Sequence, residues 1–417
     1  MCLEITKKKF TNTLYTNDNL FVLTGMNSHG VDLIYLDPPF NTKRMYSAPV
    51  DSKAAGTSFK DMWTWNDVDE QNLDTLAVKF PMLTKYITCI GGIHGKPMMA
   101  YLTYMAQRII EMHRVLKDTG SLYLHCDPTA SHYLKIVLDE IFGKNHFRNE
   151  IVWCYRGAGY PKNDFGRRHD IILRFTKTQT YTFNLDSVRD EYADATKERF
   201  AHYIGNKRKG KDFGIQTLNP LGKQPDDWWQ IQPIAPSSKE RTGYPTQKPL
   251  ALLHRIINAS SNEGDIVFDP FCGCATTCVA AQQLGRKWIG IDIEKQSVDI
   301  LVERLSNDAG LFKDFVNTTL VPQRTDVKIV EKSPSIKERL YKEQNGLCNA
   351  CGTKFDLWNL EIDHIIPQAK GGGHYYENYQ LLCGSCNNIK GDRPMEYLRL
   401  KIETRERLMK DKIIFGE

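Results

Sequence analysis

Hydrophobic positions along this chain follow two alternating rhythms. Short apolar runs recur at 31–36, 121–125, 266–269 and 287–292, each closing on a polar or acidic residue and a turn. Such runs read as strands buried on both faces. Between them lie stretches with helical spacing. Leu102, Met105, Ile109, Met112 and Leu116 share one side of a helix over 98–116, which Lys117-Asp-Thr-Gly120 stops. Further helices are expected at 130–141, ended by Gly143, and at 250–260 and 275–284. Strands alternating with helices predict an α/β fold, a parallel sheet with covering helices. From about 178 to 240 the rhythm loosens, and aromatic, basic and Gly/Pro residues dominate, Asp227-Trp228-Trp229 among them. A polar, proline-bearing stretch at 321–337 reads as a linker. It separates a first domain, 1–320, from a compact module, 338–417.

Bulk composition sharpens this only a little. At 417 residues the chain is long enough for more than one core, and 41% hydrophobic with 25% charged residues is ordinary for a globular protein. No apolar run is long enough to cross a membrane, and Met1-Cys-Leu-Glu-Ile-Thr-Lys lacks the apolar core of a secretory signal. A net charge of +5 permits nucleic-acid binding without requiring it. Lys207-Arg-Lys-Gly-Lys211 and Arg167-Arg168-His169 are the local basic clusters. The 11 cysteines are unevenly placed, and without an export signal metal thiolates fit better than disulfides. Cys272, Cys274 and Cys278 read as small packing residues.

Two strand-then-turn motifs carry candidate chemistry. One is Val31-Asp-Leu-Ile-Tyr-Leu-Asp37-Pro38-Pro39-Phe40. The other is Ile266-Val-Phe-Asp269-Pro270-Phe271-Cys272-Gly273-Cys274-Ala275. Ligands in open parallel sheets bind beyond the carboxyl ends of the strands. A carboxylate, two prolines and an aromatic ring suit a planar base with an exocyclic amine. A tight glycine turn opening a helix suits a cofactor.

Asp37-Pro38-Pro39-Phe40 resembles the Asp-Pro-Pro-Tyr/Phe signature of amino-group DNA methyltransferases, and Asp269-Pro270-Phe271-Cys272-Gly273 resembles their S-adenosylmethionine motif. The amine signature precedes the cofactor motif, as in the permuted beta class. The resemblance runs over roughly 12–305 and includes Tyr15-Thr-Asn-Asp18, Gly120-Ser-Leu-Tyr-Leu-His125-Cys-Asp127, Asn149-Glu-Ile-Val-Trp153 and Tyr244-Pro-Thr-Gln-Lys248-Pro249. It implies a Rossmann-like methyltransferase with target recognition near 178–240, acting on double-stranded DNA. By resemblance Asp18 contacts the cofactor adenine, and Lys248 belongs to the motif preceding the cofactor strand. Asp269, Phe271 and Gly273 form the cofactor turn, and Asp292 takes the ribose with Glu294 as runner-up. One departure stands out: Ala275 replaces the last glycine of the family turn.

An aromatic amine is a weak nucleophile because its lone pair is delocalised. Asp37 and the Pro38 carbonyl can each accept one amine N–H, which frees the lone pair. The fixed φ of Pro38 and Pro39 holds these acceptors in place, and Phe40 stacks on a base that has flipped out of the duplex. Aspartate at the first position favours adenine N6, with cytosine N4 the alternative. Tyr46, Trp63 and Trp65 are expected to pack rather than to act.

Near the C-terminus, Cys348-x-x-Cys351 and Cys383-x-x-Cys386 have the spacing of a structural zinc site. The insert between them holds Asp363-His364, Gly371-Gly-Gly373 and Asn378, and Asn387 follows Cys386. This pattern resembles an HNH endonuclease of the ββα-metal type. In that reading His364 deprotonates water, Asn378 orients His364 or its loop, and Asp363 and Asn387 bind Mg²⁺ or a similar divalent cation. Lys390 and Arg393 contact phosphates. The alternative is a zinc-held module that binds DNA without cutting it. The combination suggests a restriction–modification pair in one chain, or a nuclease with another target such as unmodified or invading DNA, in a protein that is cytoplasmic and nucleoid-associated and of bacterial or phage origin. A homodimer is compatible with the beta class and is left open by the sequence.

Overall fold

The computed structural model describes residues 12–415 except 42–43, 50–51, 53, 56–57, 62, 65–75, 78, 158, 160, 203–204, 216, 308–314 and 327–333. Trp65 and part of the expected linker therefore lie outside the described residues.

Among the described residues nine strands form one sheet in the order Trp228–Gln230, Phe147–Cys154, His169–Thr176, Leu116–Cys126, Val31–Leu36, Ile266–Asp269, Lys287–Asp292, Thr13–Thr16 and Val316–Thr318. All neighbours run parallel except those made by His169–Thr176, which is antiparallel to both of its partners. The sheet is thus mixed rather than wholly parallel. The reversal follows from the connection: the described residues between Cys154 and His169 form no helix to carry the chain back, so it returns directly along the neighbouring strand.

Helices cover both faces. On one, Pro81–His94, Lys96–Val115 and Ser131–Phe142 bury Ile87, Leu102, Met105, Ile109, Met112 and Leu138. On the other, Leu250–Ser260, Thr276–Gln283 and Gln296–Asn307 bury Leu253, Ile256, Val279 and Leu301. The observed helix 96–115 and the strands at 31–36, 266–269 and 287–292 match the periodic reading. The 178–240 region holds the helix Asp194–Ala201 and the hairpin Gly205–Arg208/Lys211–Ile215. It is not wholly an insert, because Trp228–Gln230 extends the main sheet through Trp229, whose ring is buried in the core.

The linker also needs correction. Residues 321–326 are fastened to the first domain. Asn27 donates from Nδ2 to Thr325 Oγ1 at 2.7 Å and accepts from the Thr325 N–H at 2.7 Å, while the Ser28 N–H donates to Asp326 at 2.9 Å. The helix Pro334–Glu343 belongs to the C-terminal module, burying Ile336 and Leu340 with Leu360, Leu381, Leu382 and Leu398. In that module Leu360–His364 and Tyr379–Cys383 pair antiparallel, and the helix Gly384–Lys390 follows, a ββα unit. Among the described residues no helix is long and apolar enough to cross a membrane.

Candidate active site and metal centre

The strands Val31–Leu36 and Ile266–Asp269 are neighbours in register, Ile34 beside Phe268. The two motifs, far apart in sequence, therefore leave the sheet side by side. Between them lies a cavity of about 550 Å³, within the usual size of a small-molecule site. It is lined by Asp37, Pro38, Pro39 and Phe40 on one side and by Asp18, Asp269, Phe271, Gly273 and Asp292 on the other. Lys248, Tyr46, Trp63, Tyr104 and Tyr244 complete the walls. Tyr46 and Trp63, expected only to pack, do border the cavity, and Trp63 also packs on Tyr104 with ring centroids 4.1 Å apart.

On the amine side, Lys248 ion-pairs through Nζ with Asp37 Oδ2. The other oxygen, Oδ1, is buried and has no hydrogen-bond partner among the described residues. A buried carboxylate oxygen left unpaired costs about 1–3 kcal/mol or more, which a donor entering the cavity would recover. Lys248 was expected on the cofactor side; instead its ammonium holds one oxygen of the amine-side acid. The pairing has a physical basis: Lys248 is only 8% exposed, and a buried ammonium needs a counter-charge.

On the cofactor side the turn is built around two carboxylates. Asp269 accepts from the Phe271 N–H at 3.0 Å and from Thr277 Oγ1 at 2.5 Å. Asp292 accepts from the Gly273 N–H at 2.7 Å and from the Glu294 N–H at 2.8 Å. Burial pushes the Asp269 carboxyl up to about 7 and the Asp292 carboxyl up to about 6, against the pull of those hydrogen bonds. Gly273 has a φ of +50°, and Ala275 caps the following helix at φ 55° and ψ 33°. The alanine thus adopts the left-handed conformation that glycine takes freely, at about 1–2 kcal/mol. Glu294 lines the cavity as well. Asp18 lines it too, but its carboxylate caps the helix Asn19–Gly25 through the Leu20 N–H at 2.7 Å and accepts two bonds from Arg108 at 3.1 Å. Arg108 is 4% exposed, lies over the Tyr104 ring, and carried no signal in the sequence beyond its helical position. The cavity size, the positive-φ turn and the acids at its rim fit S-adenosylmethionine.

In the C-terminal module the sulfurs of Cys348, Cys351, Cys383 and Cys386 lie within 4.8 Å of one another, a cluster that could hold zinc. Asn378 is buried and pins the loop after His364: its side chain accepts from the Ile366 N–H at 2.8 Å and donates to the carbonyls of Ile366 and Gly373. His364 Nε2 lies 3.2 Å from Nδ1 of His374, which in turn is 3.0 Å from the Tyr379 hydroxyl. Sequence reasoning missed His374. Asp363 points the other way, accepting from Gln380 at 2.8 Å and ion-paired with Lys390 at 3.0 Å. Asn387 donates to Glu361. Lys390, expected at a phosphate, is instead 1% exposed and neutralises Asp363, whereas Arg393 is exposed.

Comparison with known proteins gives a consistent frame. A family model described as DNA methylase matches residues 31–303, and one described as HNH endonuclease matches 348–393. The Type II methyltransferase M.BglII of Bacillus subtilis is 30% identical over 323 residues, 76% of this chain and 75% of that protein. The DNA adenine methyltransferase YhdJ of Escherichia coli (strain K12) is 28% identical over 295 residues, 70% of this chain and 82% of that protein. Among solved structures, the cytosine-N4-specific PvuII DNA methyltransferase aligns with a TM-score of 0.46 and 15% identity, over 71% of this chain and 87% of that one.

Proposed function

We propose that this chain, which belongs to the N6/N4 DNA methylase family and is an S-adenosylmethionine-dependent DNA methyltransferase with a C-terminal HNH domain, methylates the exocyclic N6 of adenine in double-stranded DNA. The observation that carries the reading is the divided Asp37 carboxylate at the wall of the cavity shared with the cofactor turn: one oxygen is held by Lys248, and the other is buried with no hydrogen-bond partner among the described residues. Aspartate at this position favours adenine, and the relative YhdJ is named an adenine methyltransferase.

S-adenosylmethionine, when bound, supplies the electrophilic sulfonium methyl. Asp269, Phe271, Gly273 and Asp292 would hold it, with Glu294 beside the ribose position. Asp37 Oδ1 accepts one amine N–H and the Pro38 carbonyl the other, leaving the nitrogen lone pair free for in-line attack. Lys248 holds Asp37 in orientation through their ion pair, so that the acceptor is in place before the base arrives. Phe40 stacks on the flipped base. Arg167 and the basic hairpin around Lys209 and Lys211 are exposed and suited to DNA phosphates. The test is nucleoside analysis of DNA methylated in vitro. N6-methyldeoxyadenosine supports the reading, and N4-methyldeoxycytidine replaces the acceptor while keeping the mechanism.

For the HNH domain the reading is phosphodiester cleavage with His364 as general base, oriented by His374 and by the loop that Asn378 pins. A divalent ion at Asp363 and Asn387 would have to displace Lys390 from one and Glu361 from the other. Supercoiled plasmid incubated with Mg²⁺ tests cleavage. Nicked or linear product that disappears in His364→Ala supports it, and unchanged plasmid with retained binding indicates a non-cleaving DNA module.

A further inference from the structure

Behind the amine motif sits a polar chain that the reading above does not use. His125 is the penultimate residue of the Leu116–Cys126 strand and is fully buried. Its Nδ1 is 2.8 Å from the Tyr35 hydroxyl on the adjacent strand, and its Nε2 is 3.2 Å from Asp170 on the strand at its other side. The Tyr155 hydroxyl donates to the second oxygen of Asp170 at 3.4 Å. Both imidazole nitrogens are therefore engaged, and Trp153 meets the ring edge-on at a centroid distance of 5.4 Å. The ring has no freedom to turn. Its remaining face lies against Phe40, with centroids 6.0 Å apart and planes within 24°.

Charge in this chain is arranged to persist. Burial and the nearby Asp37 hold the Tyr35 hydroxyl well above its usual range, so it remains a donor. Burial acts to raise the Asp170 carboxyl, but its hydrogen bond with His125, with Lys248 further off, holds it below the usual carboxylate range. Tyr35 donates to Nδ1, Nε2–H donates to Asp170, and every polar atom of the imidazole is satisfied.

From this arrangement we infer that His125 is a positioning residue for methyl transfer: a ring fixed on three sides forms the floor on which Phe40 rests, and so sets the plane in which the target base stacks. The inference rests on the reading of Asp37–Phe40 as the base site. Its reach comes from tolerance: a displacement of about 1 Å at the reacting atoms is enough to cost on the order of 100-fold in rate.

A double-mutant cycle on the full chain tests it, with single-turnover methyl transfer as one readout and equilibrium binding of S-adenosylmethionine as the other. His125→Gln should slow transfer by about 100-fold in the wild-type background while cofactor affinity stays within about twofold. In a Phe40→Ala background the same substitution should cost almost nothing further, because the element it positions is gone. His125→Phe, which keeps an aromatic floor but no hydrogen bonds, should retain more activity than His125→Gln. Should His125→Gln fail to bind cofactor, Tyr35→Phe, which removes only the Nδ1 bond, takes its place in the cycle. Additive losses in the double variant, or a His125→Gln rate equal to wild type, overturn the inference. A wild-type chain that methylates no DNA overturns the base-site reading itself, a result separable from additivity in an active enzyme.

Discussion

At the scale of single residues, the site is a set of carboxylates in different surroundings. Asp37 is ion-paired with Lys248, whereas Asp269 and Asp292 are pushed up by burial to about 7 and about 6. Removing the Asp37 acceptor by Asp37→Ala should slow methyl transfer by about 100–1,000-fold and leave cofactor binding nearly unchanged, as checked by labelled-methyl transfer and calorimetry. The two raised acids give a pH signature. A carboxyl whose folded pKa lies above its unfolded value contributes stability below the unfolded value and loses it as pH rises through the folded one. The ligand-free wild type should therefore lose thermal stability relative to Asp269→Asn between about pH 4 and pH 7. Cofactor affinity should move the opposite way, rising as Asp269 and Asp292 ionise beside a cationic sulfonium. An affinity that is flat from pH 5.5 to 8 would count against this arrangement. The motif residues were legible in the sequence because each combined an unusual composition with a turn. Lys248 on Asp37, Arg108 on Asp18, and His374 beside His364 were not, because such pairs exist only once distant segments meet.

At the scale of elements, strand ends set the geometry, and close packing keeps them there. An added Cβ at Gly290, in the middle of Lys287–Asp292, would lie 2.9 Å from Cys278 Sγ and 3.1 Å from Cys272 Sγ. Gly290→Ala should destabilise the protein by about 1–3 kcal/mol in denaturant titration, and raise the cofactor KM by shifting Asp292. The crowded cysteines beneath the cofactor turn are thus packing residues, buried at 5% or less. Helices with one apolar face, such as Lys96–Val115, and continuous buried strands, such as Val31–Leu36, declared themselves through period. Strand direction did not. Nothing in His169–Thr176 marks it as the reversed strand, since a strand buried on both faces looks alike in either direction. The short edge strand Trp228–Gln230 was equally hidden, three residues being too few to show a period.

At the scale of the whole molecule, a methyltransferase fold and a small cysteine-held module share one chain. The first domain reaches past the expected boundary at 320, because Asn27 brackets Thr325. A polar, proline-bearing sequence looks the same whether it is free or fastened by side-chain hydrogen bonds. Cys383→Ser should remove a thiolate and unfold the module, since binding energy at a structural zinc site is folding energy. Protease should then degrade residues beyond 334 and leave a fragment that keeps the Val316–Thr318 strand and full methyl-transfer activity. A protease-resistant tail in Cys383→Ser, together with wild-type protein that carries no zinc, would contradict the structural role of the cluster. The central claim, adenine-N6 methylation governed by Asp37, is tested most directly by sequencing the modified bases of DNA from cells expressing the wild-type chain and Asp37→Ala. The account predicts N6-methyladenine at one recurring sequence in the first and none in the second. N4-methylcytosine, or adenine methylation that persists in Asp37→Ala, would contradict it.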